Sequence, residues 1–374
     1  MFLLPLDDDL SLAIRERHHS KAFAALIDAN RAHLSRWFTW APGADEATAL
    51  AWAEGGLDQF GRGDGWQATL LERGDAVGSV GLHYLDRTRG VTEVGYWLAE
   101  GAEGRGLMTR ALQALLPYFF VGHGLNKVVI GVSPENLRSA ALPERLGFVR
   151  EGRIRAVHAT PSGRHGDLVF YGLLREEWLA LGGDEGAGPV PARFALDAGQ
   201  GIRLALLEEI DAESLAALVR DEAERLTPWF PWVEGTSTES IRGFIAERAL
   251  GSFAAGTGFE AGIWLDGRLA GAVGVHNVDV RAAKGEIGYW IAREHEGLGV
   301  VSKAVRRVVR YQFEEVGFRK LEIRADAANG RSRAIPERLG FTIEGTLRKA
   351  LWNGRESVDQ VVYGLLREEW AEAP

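Results

Sequence analysis

The chain has 374 residues, room for two domains that each bury a core of ordinary size. It is 46% apolar and 25% charged, carries a formal charge of −9 at pH 7, and contains no cysteine. That excludes disulfides, thiolate metal sites and a cysteine-linked acyl intermediate, argues against nucleic acid as the main ligand, and mildly favours basic partners such as amines.

In chain order, Phe23, Leu26 and Ile27 at helical spacing predict a helix over 20–34, and a second is expected over 45–60. Residues 68–72 and 76–85 read as strands that turn through Arg73-Gly74-Asp75. A strand over 92–98 runs into a glycine-bearing loop and then a helix over 107–121, with Leu112, Leu115, Leu116 and Phe119 on one face. Pro117 should kink that helix or end it early. A strand over 127–132, a short helix over 137–146 stopped by Gly147, and strands over 148–155 and 168–173 complete the set.

The same order recurs from Ile202 to Leu366. Gly95-Tyr96-Trp97 returns as Gly288-Tyr289-Trp290, Pro143-Glu144-Arg145-Leu146-Gly147-Phe148 as Pro336-Glu337-Arg338-Leu339-Gly340-Phe341, and Trp37/Trp40 as Trp229/Trp232. A period near 193 residues (95 to 288) is a duplicated domain, since solenoid units run to a few tens of residues. Domains over 1–181 and 193–374 are expected, joined by a Gly/Pro-rich linker over 182–192. Each would be an α/β (α+β) unit with a mixed, mostly antiparallel sheet flanked by helices. No run of eighteen apolar residues occurs and Asp7-Asp8-Asp9 breaks any leader, so a soluble cytoplasmic protein without a membrane partner is expected. The histidines show no ligand spacing, so no metal is expected.

Each repeated loop leads a strand into a helix. Gly104 and Gly106, and equally Gly297 and Gly299, let the backbone approach an anion at a helix N-terminus, where N–H groups are unpaired and the dipole favours negative charge. A diphosphate cradle, present twice, follows from that pattern.

Gly-Tyr-Trp before the loop, the G-x-G loop itself, Asn136-x-x-Ser139 to Gly147-Phe148 and Asp167-x-x-x-Tyr171 occur in the same order in both halves. Together they resemble the GNAT-superfamily N-acetyltransferases, specifically the RimJ/RimL-like branch, over nearly the whole chain outside the linker. The resemblance implies two tandem GNAT domains that bind acetyl-CoA as co-substrate. It implies that Glu103, Gly104, Arg105, Gly106, Met108 and Thr109 hold the diphosphate in the first copy, and Glu296, Gly297, Gly299, Val301 and Ser302 in the second. The family loop usually begins with Gln or Arg, a position Glu103 and Glu296 occupy here. Arg105 can add a charge-assisted contact that Leu298 cannot, which favours the first copy.

By the same resemblance, a bulge in the Gly-Tyr-Trp strand frees the backbone of Trp97, Leu98, Trp290 and Ile291 for the pantetheine arm. The Asn136 and Asn329 side chains would bond that arm, although Asn-x-x-Ser is also a common helix cap. Ser139 and Ser332 would donate to the departing thiolate. An α-amine with pKa about 8 must lose a proton before it attacks. Glu93 and Glu286 match between copies and suit that role; His83, His276 and the unmatched Glu260 are alternatives. Trp37/Trp40 and Trp229/Trp232 either clamp an acceptor or staple helices together.

The resemblance implies acetyl transfer from acetyl-CoA to a primary amine, by direct attack in a ternary complex. The acceptor would be a protein N-terminus, or alternatively a small antibiotic-like amine. The reading from a different class is a CoA-binding sensor or structural protein with one or both sites inactive. Fused halves suggest a monomeric pseudo-dimer.

Overall fold

The computed structural model describes residues 1–184 and 193–370, so most of the expected linker, 185–192, lies outside the described residues. The chain divides into two compact units, Phe2–Phe194 and a second that starts at Ala195 and takes in Met1. Phe194, expected in the second domain, packs in the first against Trp66 and Phe60, with ring centroids 5.5 and 6.3 Å away.

The first unit holds strands β1 Leu3–Pro5, β2 Leu10–Ile14, β3 Gln67–Glu72, β4 Asp75–Asp86, β5 Val91–Leu98, β6 Lys127–Val132, β7 Val149–Ala159 and β8 His165–Leu174. Their order is β1-β2-β3-β4-β5-β6-β8-β7. All pairs in this unit are antiparallel except β5 with β6. Helices Ser20–Ala29, Glu46–Gly61, Leu107–Pro117 and Leu137–Arg145 flank the sheet.

The second unit repeats this with β9 Ala195–Asp197, β10 Ile202–Leu206, β11 Phe259–Leu265, β12 Arg268–Asp279, β13 Lys284–Ile291, β14 Lys320–Asp326, β15 Thr342–Trp352 and β16 Ser357–Leu366. Each unit is a mixed, mostly antiparallel sheet with flanking helices. The sequence reading omitted β1, β2 and β9: these strands are three to five residues long, too short to show a period.

Local chemistry explains most boundaries. The β3–β4 hairpin turns at Arg73-Gly74 and the β11–β12 hairpin at Asp266-Gly267. All four residues have positive φ, as a two-residue hairpin turn of matching twist requires. Asp45 caps its helix by accepting from Thr48 N at 2.8 Å, and Ser237 does the same for the equivalent helix. The helix from Leu107 stops at Pro117, then widens into a π-helical turn over Tyr118–Gly122. Proline is not the cause, because the second copy has Arg310 at that place and also widens, over Tyr311–Val316. What the two share is a buried tyrosine, Tyr118 or Tyr311, with a buried phenylalanine two residues on, Phe120 or Phe313.

Asp167 and Asp359 have a structural task in both copies. Each accepts from the amide of a positive-φ residue in the neighbouring strand, Ala156 and Lys349, and so pins an irregular turn of that strand.

Candidate functional site

The strand-loop-helix unit was the best-marked feature of the sequence, and it shapes a cleft of ≈ 480 Å³ in the first copy. Of the expected residues, Trp97, Leu98, Glu103, Gly104, Gly106, Met108, Thr109, Asn136 and Ser139 line it together. Gly104 and Gly106 have φ of +71° and +74°, and Gly297 and Gly299 have +77° and +75°. Nothing lies within 4 Å of a Cβ built at any of the four, so the loop backbone faces open space. The first-turn amides of the helix from Leu107 have no intrahelical acceptor and are free for an anion.

Two expectations change. Arg105 does not line the cleft and pairs with Glu72 at 2.6 Å, and Glu93 is not among the lining residues either. Positive charge comes instead from Arg138 and Arg145, which do line it. Arg145 donates to Thr109 Oγ1 at 3.1 Å, and its counterpart Arg338 donates to Ser302 Oγ at 2.7 Å. Arg138 pairs with Glu103 and Arg331 with Glu296. Glu103 and Glu296, where the family loop usually has Gln or Arg, therefore each anchor an arginine beside the glycine loop.

The second change concerns the strand opening. The Gly-Tyr-Trp strand has no bulge. β5 pairs with β6 only over Val91–Glu93 against Lys127–Val129, and beyond Glu93 no pairing continues. The extra residue sits in the preceding strand, at His83, between the pairs Leu82↔Val94 and Tyr84↔Glu93. Two strands parting still leave β5 backbone groups of Trp97 and Leu98 at the cleft, by a different route from the one expected.

Asn136 serves as a cap: its Oδ1 accepts from Ser139 N at 3.1 Å, and Asn329 does the same for Ser332 at 3.0 Å. That leaves each amide NH₂ to donate elsewhere. Ser139 Oγ lies 3.3 Å from the Tyr96 hydroxyl, and Ser332 Oγ lies 3.4 Å from that of Tyr289. Burial raises the Tyr96 phenol to about 12 and also raises that of Tyr289, so both stay protonated. The sequence reading missed Tyr96, Tyr289, Arg138, Arg331, Arg145 and Arg338. Their recurrence at the same place in both copies was the available signal.

Two differences in charge pairing separate the copies. His33 Nε2 lies 3.3 Å from Glu103, whereas Arg225 at the same place pairs with Glu296 and Glu222 and donates to the Ile291 carbonyl. Glu93 has no ion pair among the described residues. Glu286 faces His276 Nε2 at 3.5 Å, accepts from Asn277 Nδ2 at 3.1 Å and lies 3.4 Å from Arg324 Nε. Burial opposes ionisation of Glu286, but these donors and charges outweigh it and hold its pKa below the ordinary value.

In the first copy Trp40 stacks on Phe38 at 5.0 Å, meets Trp52 edge-on at 5.0 Å and lies 6.4 Å from Trp97. Trp37 and Phe38 line the cleft. In the second, Trp232 is 51% exposed, so the aromatic cluster is closed in one copy and open in the other.

The group Glu16, His18 and His19 places potential metal-ligating atoms within 4.8 Å of one another. It is organised as a cap: His19 Nδ1 accepts from Glu16 N at 3.2 Å, as Asp211 Oδ2 accepts from Glu208 N at 3.0 Å. Ile210 replaces His18 there, so the turn forms without a metal-ligand set. Among the described residues no helix is long and apolar enough to cross a membrane.

Comparison with known proteins agrees with the duplication. The family model described as acetyltransferase (GNAT) domain matches residues 12–149 and again 202–342. The putative ribosomal N-acetyltransferase YdaF of Bacillus subtilis (strain 168) is 39% identical over 178 residues, 47% of this chain and 97% of its own length. The ribosomal-protein-serine acetyltransferase of Escherichia coli (strain K12) is 24% identical over 153 residues, 41% of this chain and 86% of its own. A solved structure of RimL, a ribosomal L7/L12 α-N-protein acetyltransferase in complex with coenzyme A, is 22% identical with a TM-score of 0.44, covering 46% of this chain and 97% of that one.

Proposed function

The chain belongs to the GNAT acetyltransferase family and carries two of its domains; from that premise we propose that it moves an acetyl group from acetyl-CoA to the α-amine of a protein N-terminus. The observation that supports this most is the convergence in one cleft of the Gly104–Thr109 backbone, Arg138, Arg145 and the Tyr96–Ser139 hydroxyl pair. The residues fit a coenzyme A diphosphate: Gly104, Gly106 and the amides after them would hold it, with Arg138 and Arg145 supplying charge. The Asn136 amide and the Leu98 backbone would meet the pantetheine arm.

The amine nitrogen attacks the thioester carbonyl carbon while Glu93, at the point where β5 and β6 part, takes its proton. The carbon–sulfur bond breaks, and the sulfur leaves as a thiolate. A thiolate whose conjugate thiol has pKa about 8.5 does not readily take a proton from a phenol near 12, so Tyr96 and Ser139 stabilise the thiolate by hydrogen bonds and solvent supplies the proton. The protein acceptor is supported by the kind of relative matched, and by cleft-lining Trp37 and Phe38, with Trp40 packed on Phe38, as anchors for residues that follow the amine.

Thiol release from acetyl-CoA tests this with a serine-first tetrapeptide amide against an aminoglycoside. Peptide turnover that falls at least ~100-fold in the double variant Gly106→Trp/Gly299→Trp is the expected outcome. Faster turnover of the aminoglycoside would move the acceptor to the small amines, and unchanged turnover in the double variant would remove the cradles from the reaction.

A further inference from the structure

The duplicated halves are not equivalent where the acceptor's proton must go. In the first, Glu93 stands at the parting of two strands with Gly131 beside it: a Cβ at Gly131 would lie 3.2 Å from Glu93 Oε1. In the second, Arg324 occupies the place of Gly131, Glu322 that of Val129 and Asn277 that of Tyr84. Sheet register differs too. His83 is the extra residue of its strand, opposite no partner, whereas His276 is paired directly with Glu286 and the irregularity moves beyond it. Both rings lie over equivalent glycines, His83 over Gly95 and His276 over Gly288, but His83 is exposed and has no carboxylate partner among the described residues, while His276 Nε2 faces Glu286 at 3.5 Å. At Gly288 the His276 Nδ1 lies 3.5 Å from a Cβ built there, on the same strand as Glu286.

Resting on the acetyl-transfer reading above, we infer that the copies deprotonate the acceptor with different groups: Glu93 itself in the first, and in the second the imidazole of His276, oriented by Glu286. A carboxylate already engaged by His276, Asn277 and Arg324 is a poor base, but it is well placed to hold an imidazole in one tautomer. Nε2–H then points at Glu286, and the Nδ1 lone pair accepts the proton released when the amine nitrogen bonds the thioester carbonyl carbon. The carbon–sulfur bond breaks, the thiolate leaves beside Ser332 and Tyr289, and imidazolium returns its proton to solvent. His276 is the catalytic residue of that copy and Glu286 its positioning residue.

The groups facing His276 are Glu286 and Glu260 from the neighbouring strands and Arg248 from the π-helical turn Ile245–Leu250, with Arg324 behind Glu286. Burial lowers the His276 pKa, but the two carboxylates outweigh it and leave it above 6.5. Activity of the second copy therefore rises with pH through a midpoint above 6.5, and removing Glu286 moves that midpoint down.

The test uses the full chain with one cradle filled at a time, Gly299→Trp leaving the first copy and Gly106→Trp the second. Thiol release from acetyl-CoA with the serine-first peptide is followed across pH. In the first arm Glu93→Gln should lose ~100-fold and His83→Gln less than ~3-fold. In the second, His276→Gln should lose ~100-fold, His276→Gly should recover with added imidazole, and Glu286→Gln should lose only ~10-fold while its pH midpoint falls. A harmless His276→Gln, or a Glu286→Gln profile with an unmoved midpoint, overturns the inference. So does a second arm that binds acetyl-CoA but releases no thiol. If neither filled cradle lowers turnover, the cradle reading itself fails, which is a separate result.

Discussion

Glu93 and Glu286 carry the same name on the same strand of two copies of one fold, yet their surroundings give them different chemistry. Three neighbours decide this: glycine, tyrosine and valine around Glu93 leave the carboxylate without a charge partner, whereas Arg324, Asn277 and Glu322 build a network around Glu286. Matching residues across a repeat identifies a position. What that position can do depends on the groups at its elbow, because a carboxylate's basicity is set by the donors it already serves.

The sharpest way to break the comparison is to exchange the neighbour. Gly131→Arg puts the second copy's cation beside Glu93, and peptide turnover of the first copy should fall ~30-fold with a lower pH midpoint. In the Glu93→Gln background the same change should cost little further; an equal loss there would point to misfolding around Phe170, which sits 3.2 Å from the added Cβ.

A smaller effect separates Glu260 from Gln67. Burial raises the Glu260 carboxyl to about 7 from an ordinary 4.5. A raised carboxyl contributes stability that is full below the unfolded pKa and is lost as pH climbs through the folded one. Glu260→Gln, which installs the first copy's residue, should therefore stabilise the second domain by ~1–3 kcal/mol at pH 8 and hardly at all at pH 4.5. Calorimetric melting at the two pH values reads this directly, and equal shifts at both would show that titration is not the cause.

The smallest effect lies in the first copy's core. Arg15 is only 4% exposed, donates to Ser79 Oγ at 2.7 Å and Ala68 O at 3.2 Å, and lies 3.6 Å from the centroid of the Phe23 ring. The second copy has Leu207 and Ala272 in place of Arg15 and Ser79. Replacing both partners by apolar groups is close to neutral when the site is already shaped for packing. Arg15→Leu/Ser79→Ala should thus stay within ~1 kcal/mol of the native protein by urea denaturation, whereas Ser79→Ala alone should cost more.

Short-range signals were readable in the chain because they are carried by a few adjacent residues. Gly74 and Asp266-Gly267 mark hairpins and Gly104-x-Gly106 marks an open loop, through left-handed backbone those residues tolerate, and Asn136-x-x-Ser139 marks a cap. The ion pairs that matter at the site span long separations. His33 meets Glu103 across 70 residues of chain, Arg138 meets Glu103 from beyond the next strand, and Arg105 turns back to Glu72. No local pattern predicts such partners, so Arg105 looked available although it is paired with Glu72.

The duplication, the family and the open glycine loops followed from the amino-acid sequence alone, since order and spacing of small motifs survive in one dimension. Which residue bulges, His83 or the one after His276, was decided only when β4 and β12 were laid against their neighbours. A one-residue change of register moves a side chain from a partnered to an unpartnered place. That is why the glycine loops look alike in sequence and the surroundings of Glu93 and Glu286 differ in three dimensions.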